Sequence, residues 1–190
     1  EEWAATSVTV EVESFLVPEI TYDLPFLADG FVADRVERHR REIVGVDHTR
    51  YVAERRLVPH DGVEIPVLLL RHRDVALDGT APCVLYSYGS YEACLDSDWG
   101  YDWWRILPSM LDRGVVYAIG HPRGGGEMGR RWWEDGHLEH KHHTFDDHIA
   151  LGEYLKAGVV SSVVTRGGSA GGLLMGAVYA RSPQTWAGLV

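Results

Sequence analysis

Five residues near the C-terminal end, Gly167-Gly168-Ser169-Ala170-Gly171, spell Gly-x-Ser-x-Gly. In the right setting this pattern stands a serine on a sharp strand-to-helix turn, with its hydroxyl clear of the backbone. A serine hydroxyl is a weak nucleophile at neutral pH. It needs a base to take its proton and donors to hold the oxyanion that forms. The turn itself supplies one donor, the backbone N–H of the next residue, here Ala170. The bland alternative is a glycine-rich turn with an incidental serine, since the pattern also arises by chance. Context separates the two. An apolar, β-branched run, Ser162 to Thr165, leads into the turn, and helix-forming residues including Leu173, Leu174 and Met175 follow it. That context favours Ser169 as a nucleophile.

The elements that must position this turn begin at about residue 80. Pro82-Cys83-Val84-Leu85-Tyr86 predicts a short strand ending at Ser87-Tyr88-Gly89-Ser90. Val115 to Ile119 predicts a second, continuously apolar like the strands of parallel sheets, and Ser162 to Thr165 a third. Between the first two, an aromatic segment (Trp99, Tyr101, Trp103, Trp104) precedes a helix carrying Ile106, Leu107, Met110 and Leu111. Pro108 starts or kinks that helix and Gly114 caps it. Between the second and third, Thr144 is placed as an N-cap with Asp146 and Asp147 in the first turn. Phe145, Ile149, Leu151 and Leu155 line this helix, and Gly158 closes it. Strand, helix, strand, helix, strand, turn, helix is an α/β pattern, a doubly wound sheet.

Upstream, Tyr51 to Val58 and Glu64 to Leu70 flank Asp61-Gly62, a hairpin signal; Pro66 predicts an edge position or a bulge. Residues 1–45 read differently. Ser7 to Glu13 alternates like a half-buried strand, and short strand pieces at 14–17 and 20–24 are broken by Pro18 and Pro25. Arg35 to Arg41 reads as a solvated, charged linker. Two or three short strands do not bury a core alone, so they are expected to pack on other material.

The 190 residues are 45% hydrophobic and 11% aromatic, enough for a core, which excludes a disordered chain. The net charge of −10 argues against nucleic acid or an anionic membrane as the main partner, and agrees weakly with a cationic ligand. Two cysteines, Cys83 and Cys94, make no disulfide scaffold, so a reducing, cytoplasmic compartment is expected. No apolar run is long enough for a membrane span. The N-terminus lacks the features of a signal peptide and a starting methionine, and the chain is expected to begin inside a longer one.

Several stretches together resemble the prolyl oligopeptidase family of serine peptidases, most closely its oligopeptidase B branch. They are Leu85 to Tyr91, Leu111 to Val116, Arg123-Gly124-Gly125-Gly126-Glu127 through Trp132, Thr144-Phe145, and the serine turn from Gly167 to Ala177. The resemblance runs from about Ser14 to Val190, strongly after residue 80. It implies an α/β-hydrolase domain over residues 46–190, preceded at 1–45 by the end of a β-propeller's last blade and a linker. It implies that Ser169 is the nucleophile, and that the Tyr88 hydroxyl joins Ala170 N–H as oxyanion donor. By residues alone, Tyr88 reads as a core aromatic rather than as a donor. Short peptides are the implied substrates, cleaved after Arg or Lys. Ser87 and Glu92 stand where glycine is usual, Pro122 replaces an aliphatic residue, and His143 replaces an asparagine.

In α/β-hydrolases the catalytic order is Ser, then Asp or Glu, then His. Leu173 to Val190 contains none of these acids or histidine. The acid and base are therefore expected beyond Val190, with the domain cut after the nucleophile helix and the chain alone inactive and poorly stable behind an open sheet edge. Two alternatives remain: a catalytically incomplete remnant with at most a binding role, or a related α/β-hydrolase acting on esters. No cofactor or metal is expected. His137, His140, His142 and His143 read as a solvated loop rather than a metal site, since Lys141 intervenes and a fourth ligand is lacking. Gly124-Gly125-Gly126 lacks the lysine of a phosphate loop and reads as structural. The tryptophans, Trp132 and Trp133 among them, read as packing residues.

Overall fold

The computed structural model describes residues 4–30, 34–95 and 109–190. The aromatic segment at 99–104, the helix expected around Ile106 and Leu107, and Pro108 lie outside them. The described residues form two compact units, 4–30 with 34–49, and 50–95 with 109–190.

The first unit is a three-stranded antiparallel sheet in the order β1 (Ser7–Val12), β2 (Ile20–Pro25), β3 (Val36–Arg40). β3 corrects the reading of residues 35–41 as a linker. All five of its residues are exposed, so apolar alternation is missing and its pairing with β2 is invisible in local pattern. Asp23 of β2 draws it in, taking an ion pair from Arg38 and a 2.8 Å hydrogen bond from Thr9. The piece at 14–17 is bent rather than a strand.

The second unit holds a six-stranded sheet in the order β4 (Tyr51–His60), β5 (Val63–His72), β7 (Val116–Gly120), β6 (Pro82–Ser87), β8 (Ser162–Arg166), β9 (Gly188–Leu189). β4 and β5 are the expected hairpin, closed by Asp61 and Gly62 at φ 48° and 74°, the left-handed pair a two-residue turn requires. Pro66 is not at an edge. It lies in β5, between β4 and β7, where pairing with β7 ends and its carbonyl accepts from His121 N–H at 3.0 Å. No ladder bond asks for its missing N–H.

β6, β7, β8 and β9 run parallel. β9 corrects the expectation of an open edge after β8: two residues pair with Val164 and Thr165. This strand is too short to carry a sequence period. Trp186 fixes its approach, its indole N–H donating to Val178 O at 3.2 Å and its ring stacking on His148.

Three helices that lie wholly among the described residues accompany the sheet: α1 (Arg130–Glu134), α2 (Lys141–Lys156) and α3 (Ala170–Arg181). Leu151 and Leu155 of α2 and Leu174 and Val178 of α3 are fully buried against Leu85, Val116, Ala118 and Val163 of the strands. α2 starts three residues before Thr144. Thr144 Oγ1 is not a cap; it donates to Arg123 O at 2.6 Å. His142 and His143 are therefore helical rather than loop residues. Asp147 lies past the first turn and pairs with Arg123. Gly114, at φ 80°, caps the turn Leu111–Arg113 as expected.

His148 of α2 is completely buried, its Nδ1 3.0 Å from Ser87 Oγ and its Nε2 2.7 Å from Thr165 Oγ1. Burial pushes its pKa down from 6.5 to about 3. A base whose folded pKa is depressed contributes stability that is present above its unfolded pKa and lost as pH falls toward the folded one. The protein is therefore expected to lose stability between pH 6.5 and about 3. Replacing His148 with Gln should shrink that loss, read as urea midpoints at neutral and acid pH. An unchanged acid dependence in H148Q would show that another group drives it.

Candidate active site

The chain fills the sheet outward in two directions, from β6 to β7 and then back past β6 to β8. Ligands of open α/β sheets bind beyond the carboxyl ends of the strands at such a reversal. Tyr88 follows β6 and Ser169 follows β8, so both stand there.

Ser169 sits at φ 56° and ψ −121°, between β8 and α3. For a non-glycine residue this backbone costs on the order of 1–3 kcal/mol and persists only where its surroundings impose it. The turn is closed by Gly171 N–H to Gly168 O at 2.8 Å and Gly172 N–H to Ser169 O at 2.9 Å. A Cβ on Gly167 would lie 2.6 Å from Gly171 O, so the turn closes only with glycine there. Ser169 is exposed, and its side chain makes no capping bond to α3.

Tyr88 is half-buried and lies against the same turn. A Cβ on Gly171 would be 3.0 Å from Ser87 O and 3.6 Å from Tyr88 Cδ2. The absent side chain at Gly171 is thus what lets β6 and its tyrosine approach α3. Ala170 is half-buried and borders an open depression of about 190 Å³, shared with Leu173, Ser90, Tyr91, Trp133, His137 and Lys141. Ser169, Tyr88 and Ala170, picked out in the sequence, therefore share one end of the sheet.

Among the described residues no histidine bonds Ser169. His148 of α2 has both ring nitrogens occupied by Ser87 and Thr165 and is no base for the serine turn. No group of three or more His, Cys, Asp or Glu side chains among the described residues is arranged to hold a metal ion.

The departures at Ser87, Glu92 and His143 have local explanations. Ser87 points into the core toward His148. Glu92 adopts φ 56°, the left-handed conformation that suits glycine, and pairs with Arg130 at 2.5 Å. His143 Nδ1 lies 2.6 Å from Asp135 O. Nothing in the structure explains Pro122. The Arg-Gly-Gly-Gly-Glu stretch is held from both ends: Arg123 binds Asp147, and Glu127 Oε1 accepts from Leu95 N–H and lies 3.0 Å from His121 Nδ1, all at 3.0 Å or less. Trp132 packs in the core and donates to His121 O, while Trp133 faces the depression under the Arg130 guanidinium. Sequence reasoning missed Lys141 and His148; neither stands in a recognisable pattern, because their partners are remote in the chain.

A mixed, mostly parallel sheet with a strained serine between strand and helix at its reversal point defines an α/β-hydrolase fold. The sequence profile of the prolyl oligopeptidase family matches residues 99–190. Dipeptidyl aminopeptidase BI of Pseudoxanthomonas mexicana is 42% identical over 97% of this chain, and Protease 2 of Moraxella lacunata 34% identical over 94%. Oligopeptidase B from Leishmania major superposes with a TM-score of 0.84 at 34% identity, over 99% of this chain. The chain resembles the prolyl oligopeptidase family over residues 99–190 and these peptidases over nearly its whole length. It spans about a quarter of the length of these relatives, 25% or 26%.

Proposed function

We propose that this chain supplies the nucleophile and oxyanion site of a serine peptidase that cleaves short peptides after Arg or Lys. The observation that carries the reading is Ser169, held at a strained backbone angle at the sheet's reversal point with Tyr88 packed against the same turn. Ser169 Oγ attacks the scissile carbonyl carbon while its proton passes to a histidine base paired with an acid, both outside residues 1–190. The carbonyl oxygen becomes an oxyanion, held by Ala170 N–H and the Tyr88 hydroxyl. Collapse expels the amine, which takes the proton from the base, and leaves an acyl-serine. Water then adds by the same route and releases the acid.

Preference for Arg or Lys is supported by the overall likeness to oligopeptidase B and by the net charge of −10. Residues 1–45 fit the end of a propeller blade and its return linker, and 46–190 the peptidase domain. A cytoplasmic location is supported by a cysteine content of two, too low for a disulfide scaffold; burial lifts the Cys83 thiol to about 12, leaving it inert. No described helix is long and apolar enough to cross a membrane. Nucleic acid and membrane are not expected partners.

The protein expressed from its complete coding frame should hydrolyse peptide amides after Arg or Lys faster than it hydrolyses simple esters of other acids. A strong preference for simple esters would favour the esterase alternative. Tyr88→Phe removes one oxyanion donor and keeps the ring against Gly171. It is expected to lower kcat about 100- to 1000-fold with little change in KM. A kcat within about threefold of wild type would remove the phenol from the oxyanion site.

A further inference from the structure

The turn after Tyr88 is strained, and a half-buried charge holds it. Gly89, Tyr91 and Glu92 all have positive φ, at 61°, 60° and 56°. Two of the three are not glycine, so the turn stores energy that its surroundings must offset. Lys141, the first residue of α2, reaches into it. Its Nζ donates to Gly89 O at 2.5 Å, to Ser90 Oγ at 2.7 Å and to Thr144 Oγ1 at 3.2 Å. An ammonium has three protons, and three acceptors receive them. Thr144 passes the restraint on, since its own hydroxyl donates to Arg123 O. Among the described residues no carboxylate pairs with Lys141, whereas Arg56 and Arg123 of the same unit each face an acid. A charge kept in such a place without a counter-charge is costly, and surface solubility does not account for it.

We propose that Lys141 is a positioning residue for the oxyanion tyrosine: its ammonium fastens the strained turn after Tyr88 to the first turn of α2, so that the phenol meets the serine turn in a single conformation. This rests on the reading of Ser169 and Tyr88 given above. Lys141 acts through Gly89 and Ser90, the residues directly after Tyr88. It also lines the depression that borders Ala170 N–H, so turn and donor are set from the same place.

The clamp has a pH dependence. Burial pulls Lys141 down from 10.5 to about 8. The neutral amine has two protons for three acceptors, so raising the pH through this value loosens the turn and lowers kcat. Tyr91 and His137 are the titratable groups sharing its depression, and Tyr88 lies one residue from Gly89. The serine helix α3 brings only Ala170 and Leu173, and the Arg123 charge behind Thr144 is already matched by Asp147.

The test uses the protein expressed from its complete coding frame. Lys141→Met is expected to lower kcat for a peptide amide roughly 10- to 100-fold with KM within about threefold, the signature of a displaced oxyanion donor rather than of lost binding. It should also abolish the alkaline decline expected of wild type near pH 8. Lys141→Arg keeps the charge at every accessible pH but presents a planar fork instead of a tetrahedral ammonium. It should recover part of kcat and remove the same alkaline decline. A K141M protein that melts cooperatively with wild-type kcat and an unchanged alkaline limb overturns the proposal. Should K141M fail to melt cooperatively, K141R decides: an alkaline decline near pH 8 that persists in it overturns the proposal equally. Labelling of wild type at Ser169 by a fluorophosphonate keeps the two readings apart. Absence of labelling removes the peptidase reading itself, whereas failure of the Lys141 proposal leaves labelling intact.

Discussion

Replacing Ser169 with alanine is expected to lower kcat by on the order of 10⁶-fold and to abolish labelling by a fluorophosphonate, with the melting temperature nearly unchanged. The size follows from the chemistry. Without the hydroxyl no acyl-enzyme forms, and the remaining rate comes from an oxyanion site that has only water to assist. The separation from stability follows from the structure. Ser169 is exposed, and its side chain makes no cap bond to α3, so alanine deletes no packing. Alanine keeps the strained backbone at φ 56°, as serine does. Turnover by S169A within about tenfold of wild type would sink the nucleophile assignment.

The second large effect concerns stability. Asp147→Ala is expected to cost about 3–5 kcal/mol, because it leaves a buried guanidinium without its counter-charge. Asp147 is fully buried and Arg123 is 4% exposed. Asp147 Oδ2 accepts from both the backbone N–H and Nε of Arg123 at 2.9 Å, and Oδ1 accepts from Nη2 at 2.6 Å. Asp61, the other acid near Arg123, is largely exposed and 3.4 Å away, a weak substitute in water. The check is denaturant unfolding of D147A beside the double variant R123M/D147L. Removing both charges should recover much of the loss, since a buried pair replaced whole by apolar residues costs far less than a pair broken. A D147A midpoint shift worth under about 1 kcal/mol would contradict the burial argument. Activity should fall along with stability in D147A, because Arg123 O anchors Thr144 and Thr144 accepts from Lys141.

The parts of the molecule that could be read from sequence are those whose cause is local. The serine turn is specified within five residues, because only small residues permit its closure, and the strand before it and helix after it are the adjacent segments. Ala170 follows from Ser169 by peptide geometry alone. The Asp61-Gly62 hairpin, Gly114 as a cap, and the apolar strands β6, β7 and β8 are likewise written in neighbouring residues. The parts that failed have causes elsewhere in the chain. Thr144 has the type of a cap but spends its hydroxyl on a carbonyl 21 residues away. β3 is a strand only because β2 offers it a partner, and β9 only because β8 does. Pro66 is tolerated inside a sheet because β7 stops where it stands.

For Tyr88 the sequence determined the residue type, and family likeness implies the role proposed for it. The tertiary structure decided that the tyrosine lies against the serine turn, across 81 residues of chain, because the sheet sets β6 beside β8 and Gly171 leaves room between them. Lys141 and His148 belong to the structure alone. Within the sequence they are a lysine and a histidine among other histidines. Folding sets one ammonium against three oxygens and one imidazole between two hydroxyls, and only contacts between distant segments can make that difference.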